Sequence, residues 1–201
     1  MRKLLLGLML PILLAACGAE PKWAPEDEVH NAVYRDTGPT TLTLFTVISN
    51  RSNAGAHLGL MVNGSQRVLF DPAGTWWHPS IPERNDVHYG ITPRVLNFYI
   101  DYHTRETYRT VVHTIEVSPA VAEAAIREVQ AYGAVPKAFC TKSITEILAG
   151  LPGFEGMKSS FYPKKAMAQF AKYSGVTERI VYDDDTDDNH GMLAKQHTST
   201  Q

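Results

Sequence analysis

Three side chains of this sequence have the chemistry of an acyl-transfer site: His57, Asp71 and Cys140. A thiol attacks a carbonyl as its thiolate. It therefore needs a base within hydrogen-bond reach, and that base needs a third group to orient it. Cys140 falls at an expected helix start, where unpaired N–H groups and the helix dipole favour a thiolate. Its backbone N–H is also a candidate oxyanion donor. Each residue has a plainer reading beside this one. His57 fits a satisfied core histidine, Asp71 before Pro72 fits the start of a turn, and a free cysteine packs as a small hydrophobe.

The elements that must position these groups are readable from pattern. TLTLFTVI (41–48), AHLGLMV (56–62), QRVLFD (66–71) and YRTVVHTIEV (108–117) are β-branched or alternating runs, hence strands. Residues 178–182 add a short one. His57 sits in the second strand and Asp71 closes the third. Asn63-Gly64 signals a hairpin, and its turn decides the site. With a two-residue turn, His57 faces Phe70 and Asp71 points to the other face. With a one-residue bulge, His57 pairs opposite Leu69 and Asp71 becomes its same-face diagonal neighbour. A one-residue slip flips every side chain, so the catalytic reading requires the bulged form.

Ser118-Pro119 is a helix start, followed by Val121, Ala125, Val129 and Tyr132 on one face. Residues 139–148 form the expected cysteine helix. Cys140, Ile144, Ile147 and Leu151 share its face, and Gly150, Pro152 and Gly153 stop it. No good capping residue stands among Lys137–Phe139. A further amphipathic helix covers 166–173, with Met167, Phe170 and Ala171 inward. The stretch from Pro72 to Pro93 has no period and reads as a long loop, a class that is usually functional. Within it Trp76, Trp77 and His78 are either substrate-cleft residues or an aromatic cluster covering the sheet. The pattern as a whole is α+β: a small antiparallel sheet packed against helices.

Composition bounds the rest. The 201 residues are 44% hydrophobic and 20% charged, with a net charge of −2, so nucleic acid is not an expected partner. Net charge gives no polybasic help for membrane binding either. His88, His103, His113 and His190 lack metal-ligand spacing, and no metal or cofactor is expected. Residues 183–188 carry five acids, but the run lacks the glycine and distal glutamate of a calcium loop. It opens a polar tail, 183–201, expected to be disordered.

The N-terminus is an address. Arg2 and Lys3 precede an apolar run, Leu4–Leu14, and then Leu14-Ala15-Ala16-Cys17. This order describes an export signal; the run is too short to span a bilayer, which takes about twenty residues. Leu-Ala-Ala-Cys resembles the bacterial lipobox. The resemblance implies a signal peptide over 1–16, acylation of Cys17 with palmitate-class chains, and a tether over 17–40. It implies a lipoprotein whose partner is the membrane. Gly18 rather than Asp after the cysteine resembles the enterobacterial sorting pattern that implies the periplasmic face of the outer membrane. The chain has two cysteines. With Cys17 taken by the anchor, Cys140 is left intermolecular, buried and inert, or reactive.

The order of the three chemical residues also resembles a family. Ala56-His57-Leu58-Gly59-Leu60, Val68-Leu69-Phe70-Asp71 and Ala138-Phe139-Cys140-Thr141 are similar to the histidine strand, acidic-ending strand and cysteine helix of the circularly permuted NlpC-type branch of the papain-like cysteine peptidase superfamily. Lecithin:retinol acyltransferase-like proteins share that branch. The resemblance implies a permuted papain-like domain over 41–182 with Cys140 as nucleophile, His57 as base and Asp71 as orienting group. It implies a cysteine hydrolase or acyltransferase acting on murein peptides or on lipid or protein acyl groups. The alternative is a non-catalytic binding or structural lipoprotein on the same fold.

Overall fold

The computed structural model describes residues 18–199. The expected signal peptide and Cys17 lie outside the described residues. Within them the chain is α+β, with a seven-stranded antiparallel sheet and six helices. The strands are β1 (Thr41–Ser49), β2 (Gly55–Asn63), β3 (Arg67–Phe70), β4 (Glu83–Arg84), β5 (Val87–Tyr89), β6 (Tyr108–Glu116) and β7 (Thr177–Val181). Their order across the sheet is β4-β5-β3-β2-β1-β6-β7. The helices are α1 (Glu26–Asn31), α2 (Pro93–His103), α3 (Pro119–Tyr132), α4 (Cys140–Ala149), α5 (Pro163–Phe170) and α6 (Asn189–Thr198).

Helices cover both faces of the sheet. On one face Leu42, Leu44, Leu58, Leu60 and Phe70 pack against Ile126 of α3, Ile144 and Leu148 of α4, and Phe170 of α5. On the other, Phe45, Met61, Leu69 and Val112 pack against Tyr99 and Ile100 of α2, Trp76, and Met192 and Leu193 of α6. This double cover explains why β1, an alternating strand by composition, is buried along nearly its whole length. Each fully buried Leu, Ile or Phe contributes about 1.5–3 kcal/mol. Among the described residues no helix is long and apolar enough to cross a membrane.

The β2–β3 hairpin adopts neither expected register. Asn63 pairs with Arg67 and Leu60 with Phe70, leaving a three-residue loop over 64–66. One step further, Gly59 stands opposite Asp71. His57, Gly59 and Asp71 therefore share a face, as the catalytic reading requires, by a longer loop than the bulged turn. A bulge does occur at the other end of β2: Val47 pairs with His57 but Ile48 with Gly55, so Ala56 is the extra residue. Bulges re-aim neighbouring side chains, and this one immediately precedes His57.

Three further expectations change. Part of the 17–40 tether is folded: Trp23 bridges Arg84, and Val29 of α1 is buried in the core. The 183–201 tail carries α6, because Asp188 caps it by accepting from Gly191 N and its apolar residues find a partner in α2. The long loop after Pro72 contains the β4–β5 hairpin, turned by Asn85 and Asp86, both at positive φ. Helix faces shift slightly as well. Ala122, Ala125, Ile126 and Val129 are the buried residues of α3, and in α5 Ala166 and Phe170 are buried while Ala171 is exposed.

Candidate active site

Asp71 is placed by the end of β3 and the turn after it. Its N–H donates to the Asp86 carbonyl at 2.9 Å, and its own carbonyl accepts from Gly74 N at 3.0 Å. Pro72 and Ala73, the latter at φ 55°, turn the chain back under the carboxylate. A Cβ on Gly74 would collide with Asp71 Oδ2, so only glycine closes this turn. The side chain is wholly buried. Its Oδ1 accepts two hydrogen bonds, from His57 Nε2 at 2.7 Å and from the Tyr99 hydroxyl at 2.8 Å. Oδ2 has no protein partner among the described residues. Burial alone would raise the carboxyl pKa, but the charge and hydrogen bond of His57 outweigh it and hold the pKa well below the usual carboxylate range.

With Nε2 on Asp71, the free ring nitrogen of His57 is Nδ1, and the Cys140 thiol lies near enough to the ring to shift its pKa. Burial would depress the imidazole. The Asp71 carboxylate and the thiol reverse that and raise its pKa to about 10. The Cys140 thiol shows the complementary shift. Burial would push it up, yet hydrogen bonding and charge from His57, with help from the Thr141 hydroxyl and the Leu58 backbone N–H, bring it below the ordinary thiol value. Both shifts favour a thiolate–imidazolium pair.

Cys140 is the first residue of α4. Ala138, at φ 69°, bends the chain into the helix, and Val135 N donates to Asp86 Oδ2 at 2.7 Å. The β4–β5 turn thus holds both the Asp71 backbone and the lead-in to the nucleophile. Burial pushes the Asp86 carboxyl up to about 6. No side chain caps α4. Its first intrahelical bond is Ser143 N to Phe139 O, at 3.0 Å. The amides of Cys140 to Lys142 precede that bond, so they lack intrahelical partners and remain donors for an anion beside the thiol.

Two residues of the site escape sequence reasoning, and both lie on α2. Tyr99 fixes Asp71. His103 stacks on His57 with ring centroids 5.4 Å apart and planes 9° from parallel, while its Nδ1–H donates to the Tyr99 carbonyl at 2.9 Å. Burial and the neighbouring His57 charge lower its pKa to about 4, so it remains neutral beside the charged ring. The available signal was Thr92-Pro93, a cap followed by proline at the first helical position; Thr92 Oγ1 does accept from Val95 N. Gly59 belongs to the same arrangement, because a Cβ there would collide with the Tyr99 hydroxyl.

A cleft of about 400 Å³ opens beside the stacked histidines, lined by Val47, Ala56, His57, Thr75, Tyr102 and His103 among others. Trp76, Trp77 and His78 do not line it. Trp76 is 2% exposed and packs edge-on against Tyr99 and His88, His78 is buried against Phe98, and Trp77 lies beside His197. Trp76 belongs to the apolar cluster on that face of the sheet, while Trp77 is 46% exposed.

Two groups could be weighed as metal ligands. His57, Asp71 and His103 place donor atoms within 4.8 Å of one another, but a cation there would displace the direct His57–Asp71 hydrogen bond. Asp101, Asp183 and Asp185 form the other. The Arg105 guanidinium lies among them, bonding Asp101 at 3.0 Å and Asp185 at 3.1 Å, so the site already holds a cation. No protein family, curated protein or solved structure matches the chain.

Proposed function

We propose that this chain is a cysteine hydrolase or acyltransferase on a permuted papain-like (NlpC-type) domain, anchored by a lipid on Cys17 at the periplasmic face of the outer membrane. The observation that carries the chemistry is the hydrogen-bonded set His57–Asp71–Tyr99, with the Cys140 thiol near enough to His57 that each shifts the other's pKa. It joins four elements and presents the thiol at an uncapped helix start.

The Cys140 thiolate attacks an acyl carbonyl, and the tetrahedral oxyanion is met by the backbone amides at the start of α4. One such donor is worth about 10²–10³ in rate. His57 gives its proton to the departing amine or alkoxide, leaving a thioester on Sγ. Water, or an acceptor alcohol or amine, then loses a proton to His57 and attacks the thioester. The thiolate leaves, and His57 is again an imidazolium. Asp71 holds the ring orientation throughout, and Tyr99 holds Asp71. The substrate class is an amide or ester: murein peptides, or lipid or protein acyl groups.

Alkylation tests the assignment. Iodoacetamide at neutral pH labels Cys140 rapidly in the folded chain, and His57→Ala removes that rapid phase. A thiol that labels only after unfolding would defeat the proposal.

A further inference from the structure

The chain's net negative charge hides a local surface of opposite sign. Residues 156–177 carry four lysines, Lys158, Lys164, Lys165 and Lys172, and no acid. Among them stand two of the more exposed large side chains of the molecule, Phe161 at 53% and Tyr162 at 64%. Phe161 meets Phe139 edge-on at 5.3 Å, and Phe139, 39% exposed, is the residue before Cys140. Lys165 Nζ lies 4.8 Å from the Tyr162 centroid, and Lys142 Nζ, paired with Glu146 at 3.2 Å, lies 5.7 Å from that of Phe139. Pro163, next to Tyr162, packs close against Gly55 at the start of β2.

We infer that this aromatic–lysine face docks on an anionic phospholipid bilayer. Exposed rings backed by ammonium groups match a headgroup layer, where aromatics sit at the interface and lysines meet anionic phosphates. The described start of the chain lies near the loop that leads to Phe139. Gly18 lines a small cavity with Gly74, Val135 and Lys137, and Lys137 stands 3.8 Å from Glu20. An anchor on Cys17 therefore attaches one peptide unit, about 3.8 Å between Cα atoms, from the residue that borders the 135–139 loop. Anchor and patch meet across the segment that delivers the nucleophile, so docking brings the Cys140 helix start close to the bilayer. The orientation rests in part on the Cys17 anchor and says nothing about whether Cys140 turns over.

Phe161→Trp in the full chain, reconstituted into vesicles, reads the contact directly. Its emission in excess of the parent chain's is quenched by brominated phosphatidylglycerol. Adding Lys158→Glu and Lys165→Glu removes about half or more of that quenching, with near-ultraviolet circular dichroism unchanged. The same results in a Cys140→Ala background separate docking from thiol chemistry. Added emission that stays unquenched on vesicles overturns the inference. So does equal quenching in phosphatidylcholine and after charge reversal, which would report tethering alone, and so does quenching relieved by dilution into larger vesicles, which would report a second copy on the patch.

Discussion

At the scale of single residues the site is an electrostatic arrangement built against its own burial. Taking His57, Asp71 and Cys140 out of water disfavours each charged form. Only their mutual placement restores charge, and the restored charges are the reactive ones. The sign of the pH dependence follows. The thiol pKa is lowered by His57 and raised by burial. In the parent chain the alkylation rate therefore rises through an inflection below the ordinary thiol value. In His57→Ala the largest lowering influences are gone and only the Thr141 hydroxyl and the Leu58 backbone N–H still oppose burial, so the inflection moves up and the rate at pH 7 falls by about tenfold or more. Turnover has a second limb. His57 must carry the proton it gives to the leaving group, and its pKa is raised to about 10, so turnover falls as pH climbs through that value. Rates of alkylation and of ester hydrolysis, measured across pH on the same preparations, check both limbs.

At the scale of elements the decisive contact is between β2 and α2. The Tyr99 hydroxyl reaches Asp71 by passing over Gly59, at a distance no larger residue permits. Gly59→Ala is expected to destabilise by about 1–3 kcal/mol through overpacking. The cost is expected to shrink in a Tyr99→Phe background, where the colliding oxygen is gone. Denaturant unfolding of the four proteins gives the coupling, and additive costs would show that Gly59 matters for another reason. This contact also marks the limit of what the sequence makes legible. His57, Asp71 and Cys140 stand out because strands and the cysteine helix have short-range periodicity, and Ser118-Pro119 announces α3 in the same way. Tyr99 does not stand out, because its role comes from the packing of α2 across a sheet face, which periodicity does not encode. Trp76 and His78 show the converse: aromatic composition marks a segment as notable, yet only the path of the chain decides whether it lines a cleft or covers a sheet. The hairpin is an intermediate case, its face legible from alternation and its loop length not.

At the scale of the whole molecule the two covers of the sheet are unequal. One is made by α3, α4 and α5 together, while the other depends on α2, the Trp76 segment and the terminal helix α6. Met192 and Leu193 are buried there, and Gln196 accepts from Trp76 Nε1 at 3.3 Å. Ending the chain at Tyr182 is expected to lower stability by about 3 kcal/mol or more, from the two apolar side chains alone. It also removes Asp187 and Asn189 from the cleft wall. A drop in thermal midpoint checks the first effect, and a change in alkylation rate by bulky but not small reagents checks the second. The β4–β5 turn carries a different consequence. By gripping Val135 from a position 49 residues earlier in the chain, it makes nucleophile and base a pair only once distant parts of the chain have found each other, at the loop-closure cost that slows folding. Until that moment Cys140 is an ordinary protonated thiol. Reactivity is thus acquired with the fold, and an unfinished chain is chemically quiet.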